Sequence, residues 1–286
     1  MTTDSGAGIE LRRWDSAESL LREVGDCLRE SEAENNLVLG ICDAIVRGSY
    51  AERPSPVLLS IHEQGKAAGV AMMTPPHNLL LTRLPSEAID PLIELLITEE
   101  IPIPGVSAPT PLAAEFAKRW TQRTGQSRKL EVSLRNYTCE SVQVGKDSRG
   151  ALRGAGQRDK SLLLEWVNQF CTELDTHPPQ RSIEEYIDEA IDRQEYFFWG
   201  REQPVTMAAA SRDTGRGIAI NYVYTPAEFR RNGYATACVA DLTRRLLESG
   251  KGFCCLFADL ANPTSNSIYQ KIGYQPMSDM QMWHFE

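Results

Sequence analysis

The stretch "TPAEFRRNGYATA", residues 225–237, combines residue types that bind a phosphate group. Two adjacent arginines, Arg230 and Arg231, bring positive charge, and Gly233 follows just before a predicted helix. A helix N-terminus has N–H groups without a partner in the helix, and the helix dipole adds partial positive charge there. Glycine has no side chain and accepts positive φ, so a bulky diphosphate can approach its backbone. The stretch therefore predicts a diphosphate site.

A solvated loop with two arginines is the alternative interpretation of this turn. The neighbouring sequence favours binding, because the apolar strand "IAINYVYT" precedes the turn and the amphipathic helix "ATACVADLTRRLLESG" follows it. Ala235 is small enough to let a ligand lie close to the helix, and Thr236 offers a hydroxyl in its first turn. The phosphate-binding pattern GxxxxGK(S/T) does not occur, and no GxGxxG follows a strand.

Both halves of the chain show one order of predicted elements: a strand, two helices, three strands, a helix, a strand, a helix and a strand. No sequence identity between the halves is evident, so the duplication is inferred from topology alone. The polar stretch "VGKDSRGALRG" marks the boundary, and the predicted domains are 1–144 and 150–286. At the place of the turn the first half reads "LTRLPSEAID", without glycine or paired arginines. Only the second half is predicted to keep the anion site.

The bulk composition narrows the class of protein. A length of 286 residues favours two domains, and a net charge of −9 argues against a general binder of nucleic acid. No apolar run reaches the roughly 18 residues that span a bilayer, and the N-terminus does not read as a secretion signal. Seven cysteines without a CxxC pair and four histidines favour neither disulfides nor zinc. We expect a reduced, cytoplasmic protein that uses no metal and binds no membrane.

Two motifs in order carry a resemblance to a known family. The segment "NYVYTPAEFRRNGYAT" resembles the acyl-CoA-binding signature Q/R-x-x-G-x-G/A of the GNAT superfamily of N-acyltransferases, with Arg230, Gly233 and Ala235 at its fixed positions. Downstream, "DLANPTSNSIYQKIGY" resembles the family's second segment, which has an asparagine after a strand and a tyrosine in a short helix. The resemblance covers residues 150–286 well and reaches the first half only as a weak, degenerate copy.

The resemblance implies a fold and an activity. The expected fold class is α/β with a mixed sheet: tandem GNAT-like domains, each a mostly antiparallel mixed sheet flanked by helices. The expected reaction moves an acetyl or other acyl group from acetyl-CoA, a co-substrate, directly to a primary amine. The acceptor is a small molecule or a peptide, and the protein is a monomer or a homodimer. The acceptor itself, the acyl chain preference and any ligand of the first half stay open.

The resemblance also assigns residues to the coenzyme. The strand before the turn pairs through its backbone with the pantetheine amides, the amides of residues 231–236 hold the diphosphate, and an asparagine after the next strand bonds the coenzyme arm. The residues so assigned are Tyr222, Val223, Tyr224, Arg230, Arg231, Asn232, Gly233, Tyr234, Ala235, Thr236 and Asn262.

Tyr269 is the predicted catalytic residue, as general acid, because the resemblance places it near the thioester sulfur. A leaving thiolate needs a proton or a strong hydrogen bond, and a phenol with a pKa near 10 can donate one. Packing in the short helix is the alternative role for Tyr269. Tyr222 and Tyr224, on one face of their strand, either line the acceptor site or pack. No compelling base is evident; Asp259 and Glu195 are the weak candidates, and both are more simply solvated or paired.

The missing base keeps a second function open. A protein with the coenzyme site and no catalysis would act as an acyl-CoA sensor or regulatory module. A scaffold that binds no coenzyme is the third hypothesis.

Overall fold

The computed structural model describes residues 2–4, 8–48, 54–174 and 182–286. The chain divides into two compact units, neither of which is continuous in sequence. The first unit comprises Met1–Asn136, Ala258–Asn262 and Pro276–Glu286, and the second comprises Tyr137–Phe257 and Pro263–Gln275. Each strand is described below with the unit that holds most of its residues.

The first unit is a mixed sheet with helices on both faces. Its strands lie in the order β1-β2-β3-β4-β5-β6-β13-β7. Neighbours from β1 to β5 are antiparallel, β5 and β6 are parallel, and β6 and β13 are antiparallel. The elements are β1 (Thr2–Asp4), β2 (Ile9–Arg13), α1 (Ala17–Glu30), α2 (Asn36–Val46), β3 (Val57–Glu63), β4 (Lys66–Met73), β5 (Leu79–Leu81), α3 (Ile89–Thr98), β6 (Gly105–Pro109), α4 (Thr110–Thr124), β7 (Arg128–Cys139) and β13 (Gln275–Phe285).

Successive side chains of the first unit's strands point to opposite faces of the sheet, so the sheet has a hydrophobic core on each face. Leu58 and Val70 pack under α1 and α2, whereas Leu59 and Ala71 pack under α3 and α4. Helix α1 begins where the Ser16 hydroxyl accepts a hydrogen bond from the backbone N–H of Ser19 (3.2 Å). Its buried residues recur at helical spacing, so burial of that stripe fixes the helix against the sheet.

The second unit is also a mixed sheet. Its strands lie in the order β12-β11-β10-β9-β8; β8 to β11 are antiparallel neighbours, and β11 and β12 are parallel. The elements are β8 (Ala151–Gly154), α5 (Lys160–Glu173), α6 (Ile183–Asp192), β9 (Tyr196–Gly200), β10 (Pro204–Ser211), β11 (Gly217–Tyr224), α7 (Tyr234–Glu248), β12 (Phe253–Asp259) and α8 (Pro263–Ile272).

Helices α5 and α6 cover one face of the second sheet, and α7 contacts side chains of the other. Tyr196 and Phe198 of β9 join the core under α5 and α6, where Phe198 meets Trp166 at a ring distance of 5.4 Å. The alternate residue Trp199 meets Tyr234 of α7 at 5.6 Å. Helix α6 begins where the Ser182 hydroxyl accepts a hydrogen bond from the backbone N–H of Glu185 (3.5 Å).

The predicted fold class is confirmed: each unit is a mostly antiparallel mixed sheet flanked by helices, and the elements follow one order in both halves. Three details differ. Strand β1 was not predicted, β5 has three residues where the stretch "NLLLTRL" predicts a strand of seven, and β13 begins at Gln275, five residues before the predicted strand "MQMWHF". The chain leaves β5 early because the Thr82 hydroxyl, rather than a further strand residue, accepts from the Val70 N–H (2.8 Å).

The last strand belongs to the first unit by its contacts. Residues 280–284 of β13 pair with residues 105–109 of β6. The last strand of the chain therefore belongs mainly to the first compact unit, because contacts and not chain order define the units. The domain limits 1–144 and 150–286 stay a prediction about the duplicated sequence.

A buried histidine in the first unit makes stability depend on pH. His62 is 1% exposed, its Nε2 lies 2.9 Å from the Ser60 hydroxyl, and its Nδ1 has no hydrogen-bond partner among the described residues. Burial, helped by the nearby Arg12 charge, lowers the pKa of His62 below its usual 6.5. The unfolded chain therefore takes up this proton first as pH falls. Stability from neutral His62 is complete above about pH 6.5 and declines as pH falls toward the folded pKa.

Urea unfolding at pH 7.5 and pH 5.5 checks this expectation. His62→Gln removes the titrating group, so we expect the variant to lose less unfolding free energy between the two pH values than the parent protein. An equal loss in both proteins would show that His62 does not contribute.

Candidate active site

The turn between β11 and α7 leaves the start of the helix uncapped. Gly233 is the N-cap residue, with a left-handed φ of 78°, and no side chain caps the first turn. The first helical hydrogen bond runs from the Ala237 N–H to the Gly233 carbonyl (3.1 Å). The N–H groups of residues 234–236 accordingly have no partner within the helix. This is the arrangement that binds an anion.

The turn has free space beside the backbone of Gly233. A Cβ added to Gly233 would meet one atom within 4 Å, Nη2 of Arg149, at 3.6 Å. Arg231 also has a positive φ, 63°, so two left-handed residues lie within three positions. Such turns aim successive N–H groups into one concavity.

Side chains within the turn hold its backbone. The Arg230 guanidinium bonds both carboxylate oxygens of Glu173 (2.6 and 2.7 Å), and its Nε donates to the Thr225 carbonyl (2.8 Å). The Asn232 amide donates to the carbonyls of Phe229 (3.2 Å) and Arg230 (3.0 Å). Arg230 thus ties the turn to the end of α5, whereas the Arg231 side chain is exposed.

Strand β11 leaves its parallel neighbour before the turn. The β11–β12 ladder runs from Gly217 with Phe253 to Ala219 with Cys255, although β11 continues to Tyr224. On the other side, the β10–β11 pairing shifts at residues 222–223, which together lie opposite one residue of β10. Tyr222 has a φ of 47° there. The backbone groups of residues 220–224 on the β12 side are therefore outside that ladder, as a strand that binds an extended ligand requires.

Tyr222 and Tyr224 both contact the α5–α6 side of the sheet. The Tyr222 ring lies 5.0 Å from Phe170, and the Tyr224 ring lies 6.1 Å from Trp166. The Tyr224 hydroxyl donates to the Gln169 side chain (2.9 Å). Tyr224 is therefore a packing residue whose ring and hydroxyl both have partners, whereas Tyr222 is half-buried.

Tyr269 lies in α8 between two other aromatic rings. Tyr137 is 6.4 Å from it and Tyr274 is 6.0 Å, and the side chain is 8% exposed. The neighbouring hydroxyls are engaged, that of Tyr137 with Asn266 (2.8 Å) and that of Tyr274 with Thr243 (2.7 Å). Burial raises the pKa of Tyr269 to about 12, so the phenol stays protonated at neutral pH.

The weak base candidates are engaged in local structure. Glu195 pairs with Arg193 (2.7 Å), and an Asp259 oxygen accepts from the Ala261 N–H (2.9 Å). Asn262 belongs to the first compact unit, and its N–H donates to the Asp259 carbonyl (3.0 Å). Both carboxylates are therefore held in local contacts.

Two further observations concern metal ions and membranes. Across the residues that the structure describes, no group of three or more His, Cys, Asp or Glu side chains is arranged to hold a metal ion. In the same residues, every helix is too short or too polar to cross a bilayer.

Comparison with known proteins identifies this fold. Residues 201–284 match the family model described as "FR47-like protein". A tandem GNAT protein from the clavulanic acid biosynthesis pathway is similar over 97% of this chain and 98% of its own, at 11% identity and a TM-score of 0.52. The chain has the fold of the GNAT superfamily, in two GNAT-like halves.

Other GNAT structures agree with that assignment. A GCN5-related N-acetyltransferase from Sphaerobacter thermophilus matches over 97% of this chain and 95% of its own, at 14% identity and a TM-score of 0.61. An acetyltransferase of the GNAT family from Colwellia psychrerythraea matches over 96% and 99%, at 12% identity and a TM-score of 0.59. No curated protein matches this chain.

Sequence reasoning missed one arginine at the turn. Nη1 of Arg149 donates to the Asn232 carbonyl (3.0 Å), and its guanidinium lies 5.3 Å from the Tyr234 ring centre. Asp147 holds the same guanidinium (2.6 Å). Because Arg149 precedes the turn by more than 80 residues, no local pattern could have indicated it.

Proposed function

We propose that this protein is an acyl-CoA-dependent N-acetyltransferase that acts on a primary amine of a small molecule or a peptide. The observation that carries the proposal is the pairing of two backbone features in the second unit. The start of α7 has N–H groups without helical partners, and β11 leaves its ladder just before that start. One feature suits a diphosphate and the other suits an extended amide chain.

The coenzyme residues of this proposal are those of the turn and of the free part of β11. The N–H groups of residues 231–236 hold the diphosphate, and the backbone of residues 222–224 pairs with the pantetheine amides. The open Gly233 supports this fit, because a larger residue would occupy the space that the phosphates need. Arg149 and Arg231 add positive charge at the rim, whereas Arg230 fixes the turn through Glu173.

Tyr269 acts as general acid in this proposal. Bound acetyl-CoA supplies a thioester carbon on which the amine lone pair forms a C–N bond as the C–S bond breaks, with the bonding pair leaving on sulfur. Tyr269 donates its phenolic proton to that sulfur, and the amine nitrogen loses its proton to water, from which Tyr269 is reprotonated. The raised pKa keeps that proton on Tyr269 until it is needed. The N–H groups of Val223 and Tyr224 stabilise the charge that develops on the carbonyl oxygen.

A catalytically silent acyl-CoA sensor is the second candidate function. The ion pair between Glu195 and Arg193 favours it, because this carboxylate is then not available as a base. An amine that enters as its neutral form needs only water as proton acceptor, so the enzyme remains the better-supported proposal.

Calorimetry with acetyl-CoA, followed by an assay of CoA thiol release with a panel of primary amines, tests both candidates. The enzyme requires binding and amine-dependent thiol release, whereas the sensor requires binding without release. A ligand that binds only the folded protein raises its melting temperature. No binding and no thermal shift at millimolar acetyl-CoA would overturn both.

A further inference from the structure

The segment that joins β7 to β8, residues 140–150, lies along α7 in the second unit, and we call it the strap. The Gln143 N–H donates to the Ile272 carbonyl at the end of α8 (2.7 Å). Nη2 of Arg244, on α7, donates to the Val144 carbonyl (2.8 Å). The strap is therefore attached to two helices before it reaches the turn at the start of α7.

Arg149 attaches the end of the strap to that turn. Its Nη1 donates to the Asn232 carbonyl (3.0 Å), and its guanidinium lies 5.3 Å from the Tyr234 ring centre, within the range of a cation–π contact. Its Nη2 lies 3.6 Å from the position of a Cβ added to Gly233. The guanidinium thus borders the space in front of the N–H groups of residues 234–236, which have no partner within the helix.

Asp147 balances the charge of this guanidinium. Its Oδ2 accepts from Nη2 of Arg149 (2.6 Å), and its Oδ1 accepts from Nε (3.0 Å) and from the backbone N–H of Arg149 (2.9 Å). The hydrogen bonds from the Arg149 side chain hold the pKa of Asp147 below its usual value, so the carboxylate is charged at neutral pH. A negative charge therefore lies one hydrogen bond away from the Nη2 that faces Gly233.

The ion pair between Asp147 and Arg149 is one that a phosphate can replace. The Arg149 side chain is 54% exposed, so water and salt screen the attraction between the two groups. A phosphate matches the two-pronged donor set of a guanidinium as a carboxylate does. A phosphate at the start of α7 also gains the N–H groups and the dipole of the helix, which Asp147 does not use.

We infer that Arg149 binds the diphosphate of the coenzyme and that Asp147 competes with the diphosphate for this arginine, so that Asp147 sets the coenzyme affinity. Asp147 gives up Nε and Nη2 of Arg149 to a phosphate oxygen, while Nη1 stays on the Asn232 carbonyl. This inference rests on the proposed function, because it takes the turn before α7 as the place of the diphosphate. It adds an internal competitor, carried by the strap, to the site.

Calorimetry with CoA, dephospho-CoA and pantetheine tests the inference without turnover. Dephospho-CoA lacks the 3′-phosphate, and pantetheine lacks the diphosphate. Asp147→Asn keeps an acceptor for the Arg149 N–H and removes the charge, so we expect it to bind CoA about 3- to 10-fold more tightly than the parent protein. Arg149→Met should weaken CoA and dephospho-CoA equally, by about 10- to 100-fold, and leave pantetheine almost unchanged. Arg149→Lys, which keeps the charge without the fork, should lose less.

The pair of Asp213 and Lys251 supplies matched controls at the other end of α7. Asp213 also accepts from a backbone N–H two residues on, that of Gly215 (2.9 Å), and it pairs with Lys251 (2.6 Å). Asp213→Asn and Lys251→Met therefore make the same changes of charge away from the turn. Both should bind CoA within about twofold of the parent protein. Thermal melting of every variant checks that it is folded.

Three results would overturn the inference while CoA binding by the parent protein leaves the proposed function standing. Asp147→Asn that binds CoA no more tightly than the parent shows that Asp147 orients Arg149 and does not compete. A loss in Arg149→Met that is confined to CoA assigns Arg149 to the 3′-phosphate. Unchanged CoA affinity in Arg149→Met, or an equal loss for pantetheine, shows that Arg149 does not contact the diphosphate. A parent protein that does not bind CoA overturns both proposals.

Discussion

Gly233→Glu is expected to weaken acetyl-CoA binding by at least about 100-fold, or ~3 kcal/mol, the scale of an unfavourable like-charge contact. The new carboxylate would lie at the N-cap of α7, where the proposed diphosphate sits and where a Cβ otherwise has open space. An acidic side chain is tolerated at a helix N-terminus, so the fold should survive. Calorimetry with acetyl-CoA measures the loss.

Backbone strain has to be separated from the charge effect. A non-glycine residue at a φ of 78° costs about 1–2 kcal/mol in any protein. Gly250→Glu is the matched control, because Gly250 follows the other end of the same helix, has a φ of 104° and has no atom within 4 Å of an added Cβ. We expect both variants to melt at lower temperature and only Gly233→Glu to lose the coenzyme.

Gly233→Ala also separates backbone strain from the charge effect, because alanine adds the strain without the charge. Its binding loss should be much smaller than that of Gly233→Glu. Unchanged acetyl-CoA affinity in Gly233→Glu, with the protein folded, would show that the diphosphate lies elsewhere and would remove the basis of the proposed function.

The order of elements and the start of α7 were predictable from sequence because local physics determines them. Helical spacing of Cys238, Val239 and Leu242 requires one buried face, and the structure buries all three. A glycine between an arginine pair and that helix predicts a left-handed N-cap, and Gly233 has that conformation. Both signals lie within a few residues of the feature they specify.

The partners of the turn were not predictable, because they come from distant parts of the chain. Arg230 meets Glu173 across 57 residues, and Arg149 meets Asn232 across 83. Sequence alone assigned Arg230 to the coenzyme, and the structure adds that its side chain holds the turn through Glu173 and the Thr225 carbonyl. The bulge at Tyr222 depends on the registration of β11 against β10, which no periodicity of β11 itself reports.

Tyr269→Phe is expected to lower kcat by about 100-fold, the lower range for loss of a general acid, with little change in the Kd of acetyl-CoA. The ring, which packs against Tyr137 and Tyr274, is retained in phenylalanine, so packing and coenzyme contacts persist. Only the proton on the leaving sulfur is lost. Steady-state assays of thiol release, with calorimetry of coenzyme binding, give the two quantities.

The pH profile of kcat checks the raised pKa of Tyr269 as general acid. Because burial raises the pKa of Tyr269 to about 12, the phenol keeps its proton through the alkaline range. An unperturbed phenol would lose it near pH 10 and produce a falling limb there. We therefore expect kcat of the parent protein to show no fall up to pH 10.

Tyr137→Phe is the matched control for Tyr269→Phe. Its ring lies 6.4 Å from that of Tyr269, but its hydroxyl donates to Asn266 (2.8 Å), so its loss removes a structural hydrogen bond rather than the catalytic proton. Such a loss costs about 1 kcal/mol of stability and should leave kcat within a few-fold of the parent value. If Tyr269→Phe turns over as fast as Tyr137→Phe, Tyr269 only packs, and the leaving sulfur must take its proton from water. The acyl-transfer proposal would survive that result, because it depends on the α7 turn and the free part of β11, but it would lose its general acid.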